Sequence, residues 1–267
     1  MHLRWRPIRM KMLRAVGSAV VASVLLAAGW PINASTSTRI NRIIERLAHD
    51  QPVYYTGSHS GTSGSFEQGK ADAQTYADYL NYDMEHAPFD VKSLAEYMKG
   101  LAAAGPTRSG HSQGVGRRLS EGRRGAHGSP PAAEIWGLTQ DEYNQRADVW
   151  PLNPNGELIL GLKLEDKYAL RNADANLRVP GIGFAEWGPG DMTLSLGALG
   201  PGALARPEIQ AARNEVLAAT RARKVFFLES MSPATVIASI TEGVRLGPAD
   251  RETAEIGRAF TNRRLPW

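Results

Sequence analysis

Cysteine is absent from the 267 residues of this chain. Its absence excludes disulfide bonds, thiolate metal sites and a cysteine nucleophile, and it is compatible with either an oxidising or a reducing compartment. Long apolar runs are also scarce, because the most apolar one, residues 15–28, is shorter than the roughly 20 residues that a bilayer span needs. With 42% hydrophobic and 22% charged residues, the composition is that of an ordinary globular protein.

The first 34 residues have the pattern of a signal peptide or N-terminal anchor. Five basic residues between positions 4 and 14 precede the apolar run, and Ile32-Asn33-Ala34 resembles a cleavage site. We therefore expect export to the periplasm or the medium; an uncleaved anchor, or a start codon assigned too early in a cytoplasmic protein, are the alternatives. Without this segment the number of basic residues falls from 31 by five, to 26, against 27 acidic residues. The pI of 9.4 is therefore no evidence for a nucleic-acid partner, and none is expected.

Residues 35–51 are predicted to form a linker with a short helix, and residues 52–267 an α/β domain. Strands alternate with helices in this domain, which indicates a parallel sheet with helical crossovers. An irregular segment, 105–157, interrupts the alternation and holds only a short helix at 139–147. The predicted strands are 52–57, 81–84, 158–164, 182–187, 225–229 and 244–246, and the other predicted helices are 65–80, 91–104, 167–177, 207–223, 233–243 and 252–260.

Acidic side chains follow three of the predicted strands. Asp83, Glu85 and His86 lie at the end of the second strand, Glu165 after the third and Asp191 after the fourth. The carboxyl ends of the strands form one face of an α/β barrel, so these residues can converge although they are far apart in the chain. Two carboxylates at neighbouring strand ends suit a hard divalent cation such as Mg²⁺. Taken singly, each acid fits a solvated turn or a helix N-cap equally well.

Residues 110–114 read Gly-His-Ser-Gln-Gly, which fits the nucleophile elbow of serine hydrolases with Ser112 as the nucleophile. An elbow needs a strand before it and a helix after it, whereas here a helix end and Gly105-Pro106 precede the motif. The last histidine of the chain is His127, which leaves no room for an acid-bearing strand before it. A serine hydrolase therefore ranks below a barrel enzyme.

Three motifs occur in order along the chain. Residues 83–90 read Asp-Met-Glu-His-Ala-Pro-Phe-Asp, a strand ends in Glu165, and residues 188–192 read Gly-Pro-Gly-Asp-Met, followed by Ser-Leu-Gly at 195–197. Together they resemble the HpcH/HpaI aldolase and citrate lyase family, the metal-dependent pyruvate aldolases. The resemblance extends from about Pro52 to the end of the chain. It implies a TIM-type (β/α)₈ barrel of the phosphoenolpyruvate/pyruvate-binding kind.

The same resemblance implies roles for four residues. Glu165 and Asp191 correspond to the ligands of Mg²⁺ or Mn²⁺, and the ion holds pyruvate and stabilises its enolate. His86, oriented by Asp83, corresponds to the acid/base that moves the hydroxyl proton. A metal as Lewis acid beside an imidazole that titrates near neutral pH is consistent chemistry for this reaction.

Three features depart from the family pattern. Lys163 stands where the family often has glutamine, two residues before the metal glutamate. The pyruvate-binding arginine that ends the third strand is missing, and Arg108 is the nearest candidate; Arg108, Gly190 and Lys163 are thus the predicted substrate-binding residues. The motif order passes from the second strand to the fifth, so the third and fourth βα units are predicted to be absent, which leaves about six of eight strands.

The sequence thus predicts a metal-dependent aldolase or lyase that breaks or forms a carbon–carbon bond in a 2-oxo-4-hydroxy acid. Its expected partners are a 2-oxo acid, an aldehyde and further copies of the chain. A catalytically impaired remnant of the family is the main alternative, because a barrel that lacks part of its wall exposes strand edges. If the shortened sheet closes, backbone pairing is expected between residues near 80–84 and 158–164.

Overall fold

The computed structural model describes residues 39–57, 64–86, 89–105 and 130–263. The predicted leader, Arg108 and Ser112 lie outside these ranges. In the described part of the chain, no helix is both long enough and apolar enough to cross a membrane.

The described residues form one curled sheet of seven parallel strands, which makes an incomplete TIM-type barrel as predicted. The order across the sheet is β2-β1-β7-β6-β5-β4-β3, and each neighbouring pair is parallel. The strands are β1 (Val53–Thr56), β2 (Tyr79–Leu80), β3 (Val149–Trp150), β4 (Leu158–Lys163), β5 (Ile182–Glu186), β6 (Phe226–Leu228) and β7 (Val244–Pro248). All three residues of β6 are buried, as expected of a strand covered on both faces.

Helices connect the strands and cover the outer face of the sheet. They are α1 (Arg42–Ala48), α2 (Phe66–Asp72), α3 (Val91–Ala103), α4 (Pro130–Trp136), α5 (Gln140–Arg146), α6 (Lys167–Arg171), α7 (Ala173–Leu177), α8 (Pro189–Ser195), α9 (Pro207–Arg223), α10 (Val236–Glu242) and α11 (Arg251–Phe260). Side-chain caps define several starts: Asp90, Asp166 and Asp250 each accept a hydrogen bond from the first turn of the following helix.

The core lies between the sheet and the helices, and large side chains such as Tyr54, Leu164 and Phe227 are almost fully buried in it. Helices α2 and α3 pack at glycines. A Cβ atom on Gly69 would lie 2.0 Å from the carbonyl oxygen of Tyr97, and one on Gly100 would lie 2.0 Å from that of Phe66. The two helices can approach this closely only because both positions lack a side chain.

The second strand and the helix before it differ from the prediction. The helix predicted for 65–80 ends at Asp72, and the strand predicted for 81–84 is Tyr79–Leu80 instead. Tyr76 and Ala77 extend the helical spacing of apolar residues, but Ala77 is buried and Tyr76 partly buried where the chain enters the sheet. The backbone N–H of Asp78 already bonds to Tyr54 O. Burial against the sheet therefore overrides the helical pattern.

The described residues form seven strands where about six were predicted, because β3 lies inside the segment predicted to be irregular. This strand has two residues, so it produces no recognisable alternation. Trp150 stabilises it: the indole is 2% exposed and stacks on the ring of Phe226 with centroids 6.1 Å apart. β3 pairs with β4 in parallel, so the strand position before β4 is filled.

The sheet does not close by the expected pairing between residues near 80–84 and 158–164. β4 pairs with β3 and β5, and in the described residues no backbone ladder joins β2 to β3 or to β4. The sheet nevertheless curls, as a contact across it shows. Lys163 at the end of β4 lies 2.6 Å from Glu85, which follows β2, although β1, β7, β6 and β5 stand between these two strands in the sheet. Side chains from distant strand ends therefore share one interior.

Candidate active site at the carboxyl ends of the strands

The loop after β2 carries a carboxylate–imidazole pair. Asp83 Oδ2 lies 2.7 Å from Nδ1 of His86. Asp83 Oδ1 accepts hydrogen bonds from the backbone N–H groups of Glu85, at 2.8 Å, and His86, at 3.1 Å. One carboxylate therefore fixes both the turn and the ring, as aspartate does in Asx turns. The Asp83 side chain is 6% exposed and that of His86 is 53% exposed, so a buried carboxylate holds an accessible imidazole.

Asp83 also controls the ionisation of this imidazole. It raises the pKa of His86, first through the hydrogen bond and then through its negative charge. Because Nδ1 faces Asp83, a proton exchanged with another molecule has to pass through Nε2. A carboxylate that orients and charges an imidazole is a common arrangement for general acid–base catalysis.

Lys163, the last residue of β4, connects this loop to the opposite side of the sheet. Its Nζ lies 2.6 Å from Glu85 Oε2 and 3.1 Å from Glu165 Oε1. Burial lowers the pKa of Lys163, but the hydrogen bonds to Glu85 and Glu165 together with the charge of Glu186 outweigh burial and raise the pKa above its ordinary value. The ammonium therefore stays charged between two carboxylates.

Glu165 lies against the start of α8, where glycine makes room for it. A Cβ atom on Gly188 would be 1.9 Å from Glu165 Oε2. The Glu165 side chain is 17% exposed, so its carboxylate is largely shielded from water. Any other residue at position 188 would displace this carboxylate.

Asp191 and Gly190 lie in the first turn of α8. Pro189 begins the helix, which suits its fixed φ, and an acidic residue in the first turn interacts favourably with the helix dipole. Thr193 Oγ1 donates a hydrogen bond to Gly190 O at 2.6 Å. A Cβ atom on Gly190 would meet nothing within 4 Å, so the space beside this residue is open.

Two further residues near these strand ends, Glu186 and Tyr55, were not among the predicted site residues. Glu186, the last residue of β5, lies beside Lys163 in the parallel register. Burial raises the pKa of Tyr55 to about 12, the charge of Glu186 adds to the increase, and Lys163 opposes it. Its position at the end of a strand could have identified Glu186 as a site residue. Tyr55 lies inside a strand, where a tyrosine is usually part of the hydrophobic core.

The described structure thus brings five charged residues of the sequence analysis into direct contact: Asp83, Glu85, His86, Lys163 and Glu165. Asp191 follows three positions after Gly188, the glycine that touches Glu165. The predicted roles of Arg108 and Ser112 lie outside the described residues.

Among known proteins, the sequence is similar to curated aldolases over a short stretch. No protein-family profile matches the chain. The 2-keto-3-deoxy-L-rhamnonate aldolases of Salmonella paratyphi B and Salmonella newport are each 37% identical over 89 residues, which is 33% of this chain. The match spans 30% of the length of these curated relatives.

Solved structures match over most of the chain. An HpcH/HpaI aldolase/citrate lyase family protein from Burkholderia cenocepacia J2315 has a TM-score of 0.58 at 22% identity, over 83% of this chain and 97% of that one. An HpcH/HpaI aldolase from Desulfitobacterium hafniense DCB-2 has a TM-score of 0.55 at 17% identity, over 82% and 94%. This chain has the HpcH/HpaI aldolase fold. The fold that the resemblance implied is confirmed.

On this HpcH/HpaI fold, the donors at the strand ends fit an ion that keeps water or substrate ligands. Within the described ranges, no group of three or more histidine, aspartate or glutamate side chains is arranged to hold a metal ion. Glu165 and Asp191 supply hard carboxylate oxygens, and Mg²⁺ commonly binds proteins through one or two carboxylates. The missing side chain at Gly188 leaves room for the Glu165 carboxylate. The residues therefore fit a hard divalent cation bound by few protein groups.

Proposed function

We propose that this protein is a metal-dependent carbon–carbon lyase of the pyruvate-aldolase type, acting on a 2-oxo-4-hydroxy acid. The observation that carries the proposal is the continuous polar group in which the Asp83–His86 pair and Glu165 meet through Glu85 and Lys163. The name of the curated relatives, 2-keto-3-deoxy-L-rhamnonate aldolase, supports a sugar-derived 2-oxo acid as the substrate class.

We assign the metal to Glu165 and Asp191. A divalent cation held by these carboxylates would supply Lewis-acid stabilisation of the negative charge that develops on the 2-oxo acid. The open space beside Gly190 supports a substrate contact there, next to Asp191. The partners that follow from this assignment are a 2-oxo acid and an aldehyde.

We assign the proton transfer to Nε2 of His86. In the cleavage direction the 4-hydroxyl group loses its proton while the C3–C4 bond breaks, the aldehyde leaves, and the bonding electrons stay on the pyruvate fragment. Neutral His86 accepts that proton, and its imidazolium returns a proton to the oxygen in the addition direction. Asp83 holds the ring in place and stabilises the imidazolium.

This assignment sets the pH dependence of the reaction. Cleavage needs neutral His86, and Asp83 raises the pKa of His86 above its ordinary 6.5. We therefore expect kcat/KM for cleavage to rise with pH, with a midpoint above 6.5, and the midpoint to fall in Asp83→Asn. A pH profile that is identical in the two proteins would contradict the role of His86.

The metal assignment is tested by binding and by turnover. Wild-type protein is titrated with MnCl₂ by calorimetry, and pyruvate release from a 4-hydroxy-2-oxo acid is followed with and without EDTA. We expect Glu165→Ala and Asp191→Ala to lose metal affinity, and EDTA to stop pyruvate release. Glu96→Ala, which removes an exposed carboxylate paired with Lys99 on α3, is the matched control and should bind Mn²⁺ as the wild type does. Equal Mn²⁺ affinity in all four proteins would refute the assignment.

One observation favours a second candidate, a family member that binds a 2-oxo acid without turning it over. The sheet has no backbone ladder between its described edge strands β2 and β3. Such a protein would bind pyruvate in calorimetry but release none from any 4-hydroxy-2-oxo acid at any metal concentration, which separates it from the enzyme.

A further inference from the structure

The Glu165 carboxylate already has a cation beside it. Lys163 Nζ lies 3.1 Å from Glu165 Oε1, and the shielding of Glu165 from water strengthens this attraction. The side chain of Lys163 also reaches Glu85, at the shorter distance of 2.6 Å. The ammonium is therefore shared between one carboxylate of the proposed metal site and one outside it.

A divalent cation on Glu165 and this ammonium compete for the negative charge of one carboxylate. Like charges a few ångströms apart repel strongly where water is partly excluded, so a bound cation weakens the contact between Lys163 and Glu165. The contact with Glu165 is the longer of the two ion pairs of Lys163. Lys163 can lose its contact with Glu165 and retain its ion pair with Glu85, so Glu85 provides a second position for the ammonium.

We propose that Lys163 is an internal competitor for the divalent-cation position at Glu165, and that Glu85 retains its ammonium when the cation binds. The lysine thereby sets a weak metal affinity, and the protein exchanges the ion readily instead of holding it permanently. This inference rests on the proposed function, because it assumes that Glu165 is a metal ligand.

The first test removes the charge of the lysine. Wild type, Lys163→Gln and Lys163→Met are titrated with MnCl₂ by calorimetry, and thermal unfolding without metal reports that each variant is folded. We expect both variants to bind Mn²⁺ at least about tenfold more tightly than wild type, because a unit charge within a few ångströms of the ion is removed. Lys99→Gln is the control: it removes the same charge from another glutamate-paired lysine, on α3, and should leave the affinity unchanged.

The second test removes the alternative position of the ammonium. Glu85→Gln should weaken Mn²⁺ binding several-fold in the wild-type background, because Lys163 then loses its shorter ion pair and keeps the one with Glu165. In the Lys163→Gln background the loss should be clearly smaller, and a double-mutant cycle measures the difference.

The outcomes separate this inference from the proposed function. If Lys163→Gln and Lys163→Met bind Mn²⁺ with wild-type affinity while Glu165→Ala abolishes binding, the competition is refuted and the metal site stands. If Glu165→Ala binds as tightly as wild type, both the metal assignment and the competition fail. If Lys99→Gln tightens binding as much as Lys163→Gln does, net charge and not the ammonium at Glu165 explains the effect, which also refutes the proposal.

Discussion

Neutralising Asp78 is expected to destabilise the protein strongly. Its side chain is fully buried, its Oδ2 accepts a hydrogen bond from the backbone N–H of Tyr54 at 3.0 Å, and Arg263 contacts its Oδ1. Arg258 Nη2 lies 3.6 Å from Oδ2 and Arg42 Nε lies 3.8 Å from Oδ1. The carboxylate thus joins α1, β1 and α11 at one point.

The magnitude follows from the burial of these arginines. Burial lowers the pKa of Arg42 to about 10 and also lowers that of Arg258, and the charge of Asp78 opposes both decreases. Removing the negative charge leaves three largely buried guanidinium groups without this counter-ion. Breaking a buried ion pair by removing one partner costs about 3–5 kcal/mol, against about 0–1 kcal/mol for an exposed pair. We expect Asp78→Asn to lower the free energy of unfolding by about 3–5 kcal/mol.

Urea unfolding followed by circular dichroism measures this difference. The matched control is Asp50→Asn, which removes a carboxylate that also binds an arginine through both oxygens, Arg245 at 2.7 and 3.0 Å, but is 72% exposed. We expect the control to cost less than about 1 kcal/mol. Equal losses for the two variants, or a loss below about 1 kcal/mol for Asp78→Asn, would show that Asp78 does not offset the buried arginines.

Three further predictions concern the barrel mouth. Gly188→Ala should displace the Glu165 carboxylate and weaken Mn²⁺ binding by calorimetry, because its Cβ would lie 1.9 Å from Oε2. Gly190→Ala, the paired control, has free space for its Cβ and should bind Mn²⁺ and unfold as the wild type does, while a raised KM would reveal a substrate contact. Because Asp83 raises the pKa of His86, their pair stabilises the folded state fully below about pH 6.5, and this stabilisation is lost as the pH rises through the pKa of folded His86. Asp83→Asn should therefore lower the free energy of unfolding more at pH 6 than at pH 9, as measured by urea unfolding.

Elements with several regularly spaced apolar residues could be predicted from the sequence. The predicted helix 207–223 is α9, residue for residue, and the strands predicted at 158–164 and 182–187 are β4 and β5 to within one residue. Each has enough residues for its period to be recognised. The two-residue strand β3 has no period, and its burial depends on the contact between Trp150 and Phe226, which lie 76 positions apart.

Some contacts of the candidate site could likewise be predicted from the sequence, and others could not. Asp83 and His86 are three positions apart in one turn, so their contact follows from local sequence. The contact between Glu85 and Lys163 spans 78 positions and depends on the curl of the sheet, so no local pattern predicts it. The sequence identified Lys163 as a departure from the family, but its ion pairs required the fold.

The position of His86 relative to Glu165 has to come from backbone packing and not from the ion pair that links them. Lys163 is 35% exposed and Glu85 is 57% exposed, and exposed pairs of this kind contribute about 0–1 kcal/mol. The loop that carries His86 is held instead by the pairing of β2 with β1 and by the close contact of α2 with α3 at Gly69 and Gly100. The Lys163 ammonium is therefore able to leave Glu165 without loss of the fold, which is what its proposed exchange with a divalent cation requires.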